Sequence, residues 1–152
     1  MEQLRFPEDV DPKILDIHAY WSAKCGGRPH PRRADIDPVE IPRLMPLVTF
    51  VDVRPAPPRF VFRLVGTEVV RLFQHDSTGQ PVGYGVKPDE LADVLGRFER
   101  VADRGECVYH RTRMQRESND FTTVDRVMLP LGPGPGPVDI VLSLVTRVRT
   151  GG

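Results

Sequence analysis

The chain of 152 residues has the length of one domain, long enough to bury a core without disulfides or a structural metal. Its 21 lysines and arginines equal its 21 aspartates and glutamates, and this zero net charge argues against non-specific binding to nucleic acid. The two cysteines make neither a disulfide framework nor a metal site, and the lack of an apolar signal core or a bilayer-length apolar run predicts a cytoplasmic protein without a membrane segment.

Residues 1–10 are expected to form a loose lead-in before the first helix. That helix begins at Asp11-Pro12, with aspartate as the N-cap and proline in the first helical position, and it ends at Gly26-Gly27. Because no strand precedes it, we expect this helix to dock as a cap on a sheet formed later in the chain. Its apolar side recurs at helical spacing and comprises Ile14, Ile17, His18, Trp21 and Cys25, with His18 predicted to be packed rather than metal-bound.

A basic segment, RPHPRR at residues 28–33, follows the helix. We interpret it as a connector whose arginines pair with Asp35 and Asp37, since the balanced net charge supports no wider basic surface. A phosphate or nucleic-acid patch is the less favoured alternative. Downstream, Asp37-Pro38-Val39-Glu40 predicts a short helix in which Asp37 caps the end and Glu40 reaches back to the amide of the cap.

Two strands joined by a short proline-rich link, at residues 47–53 and 60–64, predict an antiparallel hairpin. With the turn centred between Ala56 and Pro57, Asp52 and Arg63 become diagonal neighbours on one face, within reach of an ion pair. A partner protein or an anionic ligand is the alternative role for this mid-strand arginine. Alternation places the apolar side chains of Phe60, Phe62 and Leu64 on the opposite face.

Beyond Gly66, Thr67-Glu68 starts a short helix that carries Leu72. The sequence His75-Asp76-Ser77 then invites a hydrolase hypothesis, but we interpret it as a turn, because catalytic triads are assembled from separate elements. A second long helix opens at Pro88 and closes at Gly105, and its apolar stripe includes Leu95 and Phe98.

Three strand candidates, at residues 107–114, 121–129 and 138–148, complete the chain. The order of elements predicts an α+β fold: a five-stranded antiparallel sheet, split by a helical insertion, with the N-terminal helix as a cap. We expect one domain over residues 11–150.

Several motifs resemble those of PAS domains, in particular a divergent class of short bacterial chains that often consist of this domain alone. The sequence departs from the pattern at Gln74-His75, where a glycine is expected before the aspartate. The matching pieces are Tyr20-Trp21, Pro31-Arg32-Arg33 with Asp35-Ile36-Asp37-Pro38, Val51-Asp52-Val53, the segment 62–67, Asp76 with Thr78-Gly79, and the segment 127–131.

The resemblance implies a sensory or regulatory module in signal transduction rather than an enzyme, one that binds a small ligand or a partner signalling protein and acts in trans. It also implies a homodimer, for which Tyr20 and Trp21 on the cap helix are the expected surface. The cofactor stays open. A haem protein would need an axial histidine such as His18, His75 or His110, and a flavin photosensor would need a reactive cysteine in a helix motif that neither Cys25 nor Cys107 has.

In this fold a ligand pocket would lie between the sheet and the two inserted helices, and it would take a small, mostly apolar ligand. A filled core is an equal alternative, since protein interiors pack densely. A small α+β enzyme that uses His75 or His110 with Asp76 is the alternative function. The residues predicted to line the pocket are Phe60, Phe62, Leu64, Leu72, Leu95 and Phe98.

Overall fold

The computed structural model describes residues 4–134 and 136–148. Its strands form one antiparallel sheet in the order β2-β1-β5-β4-β3, so the predicted α+β fold with a five-stranded antiparallel sheet is confirmed. The helices are α1 (Pro12–Cys25), α2 (Thr67–Phe73) and α3 (Pro88–Arg104), and the strands are β1 (Val48–Val53), β2 (Phe60–Val65), β3 (Val108–Gln115), β4 (Phe121–Leu131) and β5 (Ile140–Arg147).

The two long helices begin and end at the predicted residues. The carboxylate of Asp11 accepts a hydrogen bond from the amide of Lys13 at 2.9 Å, and α1 ends at Gly26 with a φ of 57°. Helix α3 ends in the same way at Gly105, whose φ is 66°. Glycine adopts this left-handed conformation without the steric cost of a Cβ, which is why both helices stop there. No described helix is both long and apolar enough to cross a bilayer.

The two faces of the sheet are covered by different helices. Helix α1 packs on what we call the outer face, where the outer cluster includes Ile14, Trp21, Phe50, Leu129 and Leu142. Helices α2 and α3 cover the inner face, where two separate apolar clusters form. The inner cluster consists of Val51, Phe60, Val82, Phe98, Val101, Val108, Met128 and Val141, and the α2 cluster of Val69, Val124 and Val145 with partly buried Val65, Leu72, Phe73 and Met114.

A β-bulge in the β1–β2 hairpin changes which side chains share a face. Asp52 lies opposite Val61 as predicted, but the register shifts between Phe50 and Val51, so Phe50 lies opposite Leu64 rather than Arg63. An extra residue in one strand reverses the alternation beyond it. Leu64 therefore packs against the outer cluster and not beside Phe60 and Phe62, and the prediction that these three share a face is wrong for Leu64.

The short element after the basic segment is a 3-10 turn, Pro38–Glu40, and Asp37 caps it by accepting from the amide of Val39 at 3.0 Å. The predicted capping box is wrong. The Asp37 amide donates to the Tyr20 hydroxyl at 3.0 Å, and that hydroxyl donates to the Glu40 carboxylate at 2.7 Å. The Asp37 amide and the Glu40 carboxylate, which the sequence pattern predicts to be in direct contact, are therefore bridged by the hydroxyl of Tyr20 from α1.

The lead-in, predicted as loose, contacts the sheet along its described part. Phe6 packs edge-on against His18 and Tyr109, and Val10 is buried. Asp9 pairs with Arg111 of β3 at 3.2 Å.

Candidate ligand-binding site

Three polar side chains cross the inner face between the inner cluster and the α2 cluster. They are His110 on β3, Arg126 on β4 and Ser143 on β5, and we call them the polar band. His110 lies opposite Arg126, and Ser143 lies opposite Met128, the next inward-facing residue of β4. The arginine thus stands on β4 between Met128 of the inner cluster and Val124 of the α2 cluster.

Each member of the polar band has a buried polar atom that finds no hydrogen-bond partner in the described part of the chain. The atoms are both ring nitrogens of His110, the Nε of Arg126 and the Oγ of Ser143. Among the described residues, no carboxylate forms an ion pair with Arg126. Buried polar groups in proteins are normally hydrogen-bonded, and leaving one unpaired costs about 1–3 kcal/mol. Hydrogen bonds and ion pairs among the described residues therefore do not account for the band.

The band is electropositive, and α3 adds to its charge. Burial lowers the pKa of Arg126 to about 10, and the charge of Arg97 on α3 acts in the same direction. Burial also lowers the pKa of Arg97, against the opposing effect of Asp93. The His110 pKa falls to about 4, first through burial and then through the two guanidinium charges. At neutral pH the band therefore holds a neutral imidazole and one cation, Arg126, and the charge of Arg97 on α3 acts on both.

Arg126 and His110 retain part of their surface exposure as whole residues, although the nitrogens named above are enclosed. The ring of Phe73, from α2, lies 5.9 Å from the guanidinium carbon of Arg126. The band therefore has apolar walls on two sides and remains reachable from the surface.

The structure brings together four of the six residues predicted to line a pocket. Phe60 and Phe98 pack with ring centroids 5.5 Å apart, and Phe62 and Leu95 pack against the same inner cluster. Leu72 belongs to the α2 cluster, on the other side of the polar band, and Leu64 lies on the outer face. Ligand contact with any of these residues stays a prediction.

Sequence reasoning missed the polar band. The signal was present in β4, where the inward positions read Val124, Arg126 and Met128. A charged residue between two apolar residues on one strand face is the pattern that could have located it.

The sequence profile of the PAS domain family matches residues 10–146. The chain belongs to the PAS domain family. It is a PAS-like sensory domain, of a class that typically binds small ligands or partner proteins. A search of curated proteins finds none that matches.

Among solved structures, the LOV protein of Rhodobacter sphaeroides is similar, with a TM-score of 0.57 and 16% identity over 77% of this chain and 71% of that one. The N-terminal domain of a diguanylate cyclase with a PAS/PAC sensor from Marinobacter aquaeolei has a TM-score of 0.51 and 10% identity, over 66% of this chain and 94% of that one. At such identities the likeness supports the fold alone.

The two cysteines of this PAS domain do not fit a photosensor that uses a reactive thiol. Cys25 ends α1 and Cys107 precedes β3, and both pack against the outer cluster rather than on the helices that cover the inner face. Burial raises the pKa of both thiols, that of Cys107 to about 12, and this disfavours the thiolate, which is the reactive form.

Of the histidines considered as axial ligands, His110 lies on the inner face. His18 is packed as predicted, stacked on Trp21 at 6.1 Å, and His75 lies with its Nε2 2.7 Å from the Ser77 hydroxyl. Among the described residues, no group of three or more His, Cys, Asp or Glu is arranged to hold a metal ion.

The predicted ion pair of Asp52 with Arg63 is confirmed, with 2.9 Å between Oδ1 and Nε. The pair lies on the outer side of the hairpin, away from the polar band. The basic segment also pairs within the chain, through Arg28 and Arg32 to Asp35 at 3.0 and 3.1 Å. Asp37, the other acid predicted as a partner, forms the cap described above.

Tyr20 and Trp21 do not form the exposed aromatic surface expected of a dimer interface. Trp21 is 8% exposed and donates from Nε1 to the carbonyl of Pro130 at 2.8 Å. The Tyr20 hydroxyl bridges Asp37 and Glu40. Both residues hold the cap helix to its own chain, and self-association stays a prediction without that surface.

A surface groove of about 700 Å³ lies elsewhere, where α1 begins beside the ends of β4 and β5. Its charged lining consists of one acid, Asp11, and three bases, Lys13, Arg113 and Arg147, and the three basic residues are exposed to solvent. Among the described residues, the groove has one enclosed polar atom without a hydrogen-bond partner, Oγ1 of Thr146, whereas the polar band has four. The band is therefore the stronger indication of a binding site.

Proposed function

We propose that this PAS domain is a sensory or regulatory module that binds a small ligand at the polar band and passes its bound state to a partner protein. The observation that carries the proposal is the set of enclosed, unpartnered groups on His110, Arg126 and Ser143. Small-molecule sites combine apolar walls with a few placed polar groups, and the band between its two clusters has that composition. Unpaired groups of this kind are retained where function uses them.

A ligand in the band would act on α3. This helix covers the inner cluster through Phe98 and Val101, and its Arg97 acts on the charges of the band. A ligand that supplies partners to the band and to Arg97 would favour one arrangement of α3 over others. Such a difference in affinity between two arrangements is what a signal to a partner protein requires.

Native mass spectrometry of protein purified without added ligand tests this proposal, together with two variants of α3. Leu95 packs against the inner cluster, which borders the band, so the larger side chain of Leu95→Trp should crowd this region and remove a bound small molecule. Ala92 is exposed on the same helix, and Ala92→Trp is the matched control that should retain it. Equal retention in both variants, or no small-molecule binding by the parent chain in a metabolite screen, would contradict the proposal.

A second candidate function is hydrolysis at the turn after α2. The Ser77 hydroxyl lies 2.7 Å from Nε2 of His75, and the Glu117 carboxylate lies 3.5 Å from Nδ1 of the same ring. In this arrangement the histidine lies between the serine hydroxyl and the acid, as it does where a histidine activates a serine nucleophile. Asp76, the acid first considered for this role, accepts instead from the amide and hydroxyl of Thr78 at 2.9 and 2.6 Å.

Labelling with a fluorophosphonate probe tests this candidate. A nucleophilic Ser77 should be labelled in the parent chain and not in Ser77→Ala or His75→Ala. Glu117 is 63% exposed, so solvent competes for its carboxylate, and this weakens the candidate. An unlabelled parent chain would remove the hydrolase from consideration.

A further inference from the structure

We infer that the ligand of the polar band carries an oxyanion group, a carboxylate or a phosphate, on a small apolar body. This inference rests on the proposed function and specifies the chemistry of its ligand.

The sign of the ligand charge follows from the cations that face the band. Arg126 has an enclosed Nε without a partner, and the charge that acts on it is that of Arg97, a second cation. An enclosed guanidinium without a counter-charge is costly, and an anion placed beside it offsets that cost. A cationic ligand would instead be repelled by both arginines.

The neighbouring acid cannot supply this counter-charge. Asp125 precedes Arg126 in β4, so strand alternation directs its carboxylate to the outer face. There it accepts from the Tyr109 hydroxyl at 2.7 Å and from two nitrogens of Arg111 at 2.7 and 2.9 Å. The negative charge closest in sequence is therefore fully engaged on the opposite side of the sheet.

The donors of the band match an oxyanion in number and kind. A guanidinium presents a planar fork of N–H groups that binds carboxylate and phosphate oxygens in pairs. The Ser143 hydroxyl and a ring N–H of His110 can each donate one more hydrogen bond, and both are unpartnered.

The surroundings of these donors predict the apolar body. Met128 of the inner cluster lies on one side of them, and Phe73 and Val145 of the α2 cluster lie on the other. A free inorganic ion would satisfy the donors but leave these apolar walls in contact with water. An organic anion satisfies both.

Four probes separate charge, head group and body: hexanoate, hexyl phosphate, hexanamide and inorganic phosphate, each titrated by isothermal calorimetry. We expect hexanoate or hexyl phosphate to bind, and whichever binds more tightly identifies the head group. Hexanamide, the neutral analogue, should bind at least about tenfold more weakly, because it loses the charge-assisted hydrogen bonds. Inorganic phosphate should also bind more weakly, since it lacks the body.

Arg126→Met tests the residue itself, because methionine keeps the length of the side chain and removes its charge. We expect it to weaken binding of the anion by at least about tenfold, and we expect Arg126→Lys to bind with an affinity between those of the parent chain and Arg126→Met. The matched control is Arg113→Met, an exposed arginine on the outward side of β3 that stacks on Phe121. Circular dichroism checks that each variant is folded. If Arg126→Met does not fold, Arg97→Met on α3 provides a second test, and it is also expected to weaken binding.

The outcomes separate this inference from the proposed function. Equal binding of hexanamide and hexanoate, unchanged anion binding in Arg126→Met, or no binding of either organic anion at millimolar concentration would overturn the inference. A neutral ligand retained by the parent chain and lost in Leu95→Trp would still support the sensory module. A chain that binds no small molecule at all would overturn both.

Discussion

Asp125 and Arg126 are adjacent in β4 and lie on opposite faces of the sheet, and they differ in whether other side chains pair with their charges. Asp125 is 1% exposed, yet its carboxylate accepts hydrogen bonds from Tyr109 and Arg111. Arg126 has an enclosed Nε with no partner among the described residues. A buried charge that its own chain pairs belongs to the fold. A buried charge left unpaired is available to a ligand, and this difference is the basis of our proposal that the site lies on the inner face.

The outer network also keeps its state of ionisation to a lower pH than the inner band does. Hydrogen bonds to Asp125 and Asp9 raise the pKa of Arg111, and burial with the contact to Asp125 raises that of Tyr109 to about 12. Neither group changes its charge near neutral pH. His110 on the inner face, with a pKa of about 4, stays neutral only as long as the pH is well above that value.

The largest expected effect is on the outer face. Asp125→Asn should lower the free energy of unfolding by about 2–4 kcal/mol, because it removes a buried charge that pairs with Arg111. Urea unfolding measures the loss. The matched control is Asp120→Asn, which breaks the pair of an exposed acid with Arg116 and should cost less than about 1 kcal/mol. Similar losses in both variants would show that the outer network is not a buried ion pair.

The next effect concerns pH and the inner face. The pKa of His110 is lowered from 6.5 to about 4 by burial and by Arg97 and Arg126, against the opposing charge of Asp125. Between these two values the unfolded chain binds the proton and the folded chain does not, so stability is full above about pH 6.5 and falls toward pH 4. The contribution is up to about 3 kcal/mol.

This pH effect is measured as a difference between two proteins. Urea unfolding is measured for the parent chain and for His110→Leu, near pH 7 and near pH 4.5. Both proteins have the same carboxylates, so the contribution of these groups cancels in the difference between the two proteins. The parent chain should lose more stability than the variant on acidification. Equal losses would mean that His110 is not held neutral by its surroundings.

Arg126→Met should have an effect opposite in sign to that of Asp125→Asn. Replacing an unpaired, enclosed charge by an apolar side chain of similar length should leave the free energy of unfolding unchanged or raise it by about 1–2 kcal/mol. Thermal and urea unfolding of the ligand-free chain measure the change. A loss of more than about 1 kcal/mol would mean that Arg126 stabilises the fold and that the contrast between the faces is smaller than the contacts indicate.

The smallest effect is at the edge of the sheet, where a charge is paired but exposed. Arg63 is 58% exposed in its pair with Asp52, so a double-mutant cycle with Arg63→Ala and Asp52→Ala should give a coupling energy of about 0.2–1 kcal/mol. Strictly additive losses would show that the two residues do not act together. A coupling as large as that expected for Asp125 would contradict the rule that burial decides the strength of these pairs.

The limits of the sequence are visible in the same hairpin. The ion pair of Asp52 and Arg63 was predictable from alternation and turn length. The bulge that places Leu64 on the outer face was not, because an extra residue in a strand leaves no local mark in a run of apolar side chains. Two of the six residues predicted for the pocket therefore lie apart from the rest, Leu64 across the sheet and Leu72 beyond the polar band.

The sequence by itself determined the ends of the helices and the order of the strands, since caps such as Asp11 and Gly105 and the apolar periods act over a few residues. Only the tertiary structure decided which polar groups are paired. Asp125 finds Tyr109 sixteen residues away, and Tyr20 reaches Glu40 across twenty. The Nε of Arg126 finds no such partner within residues 4–134 and 136–148. Hydrogen-bond satisfaction depends on contacts between distant segments, and the candidate site is defined by the place where those contacts are missing.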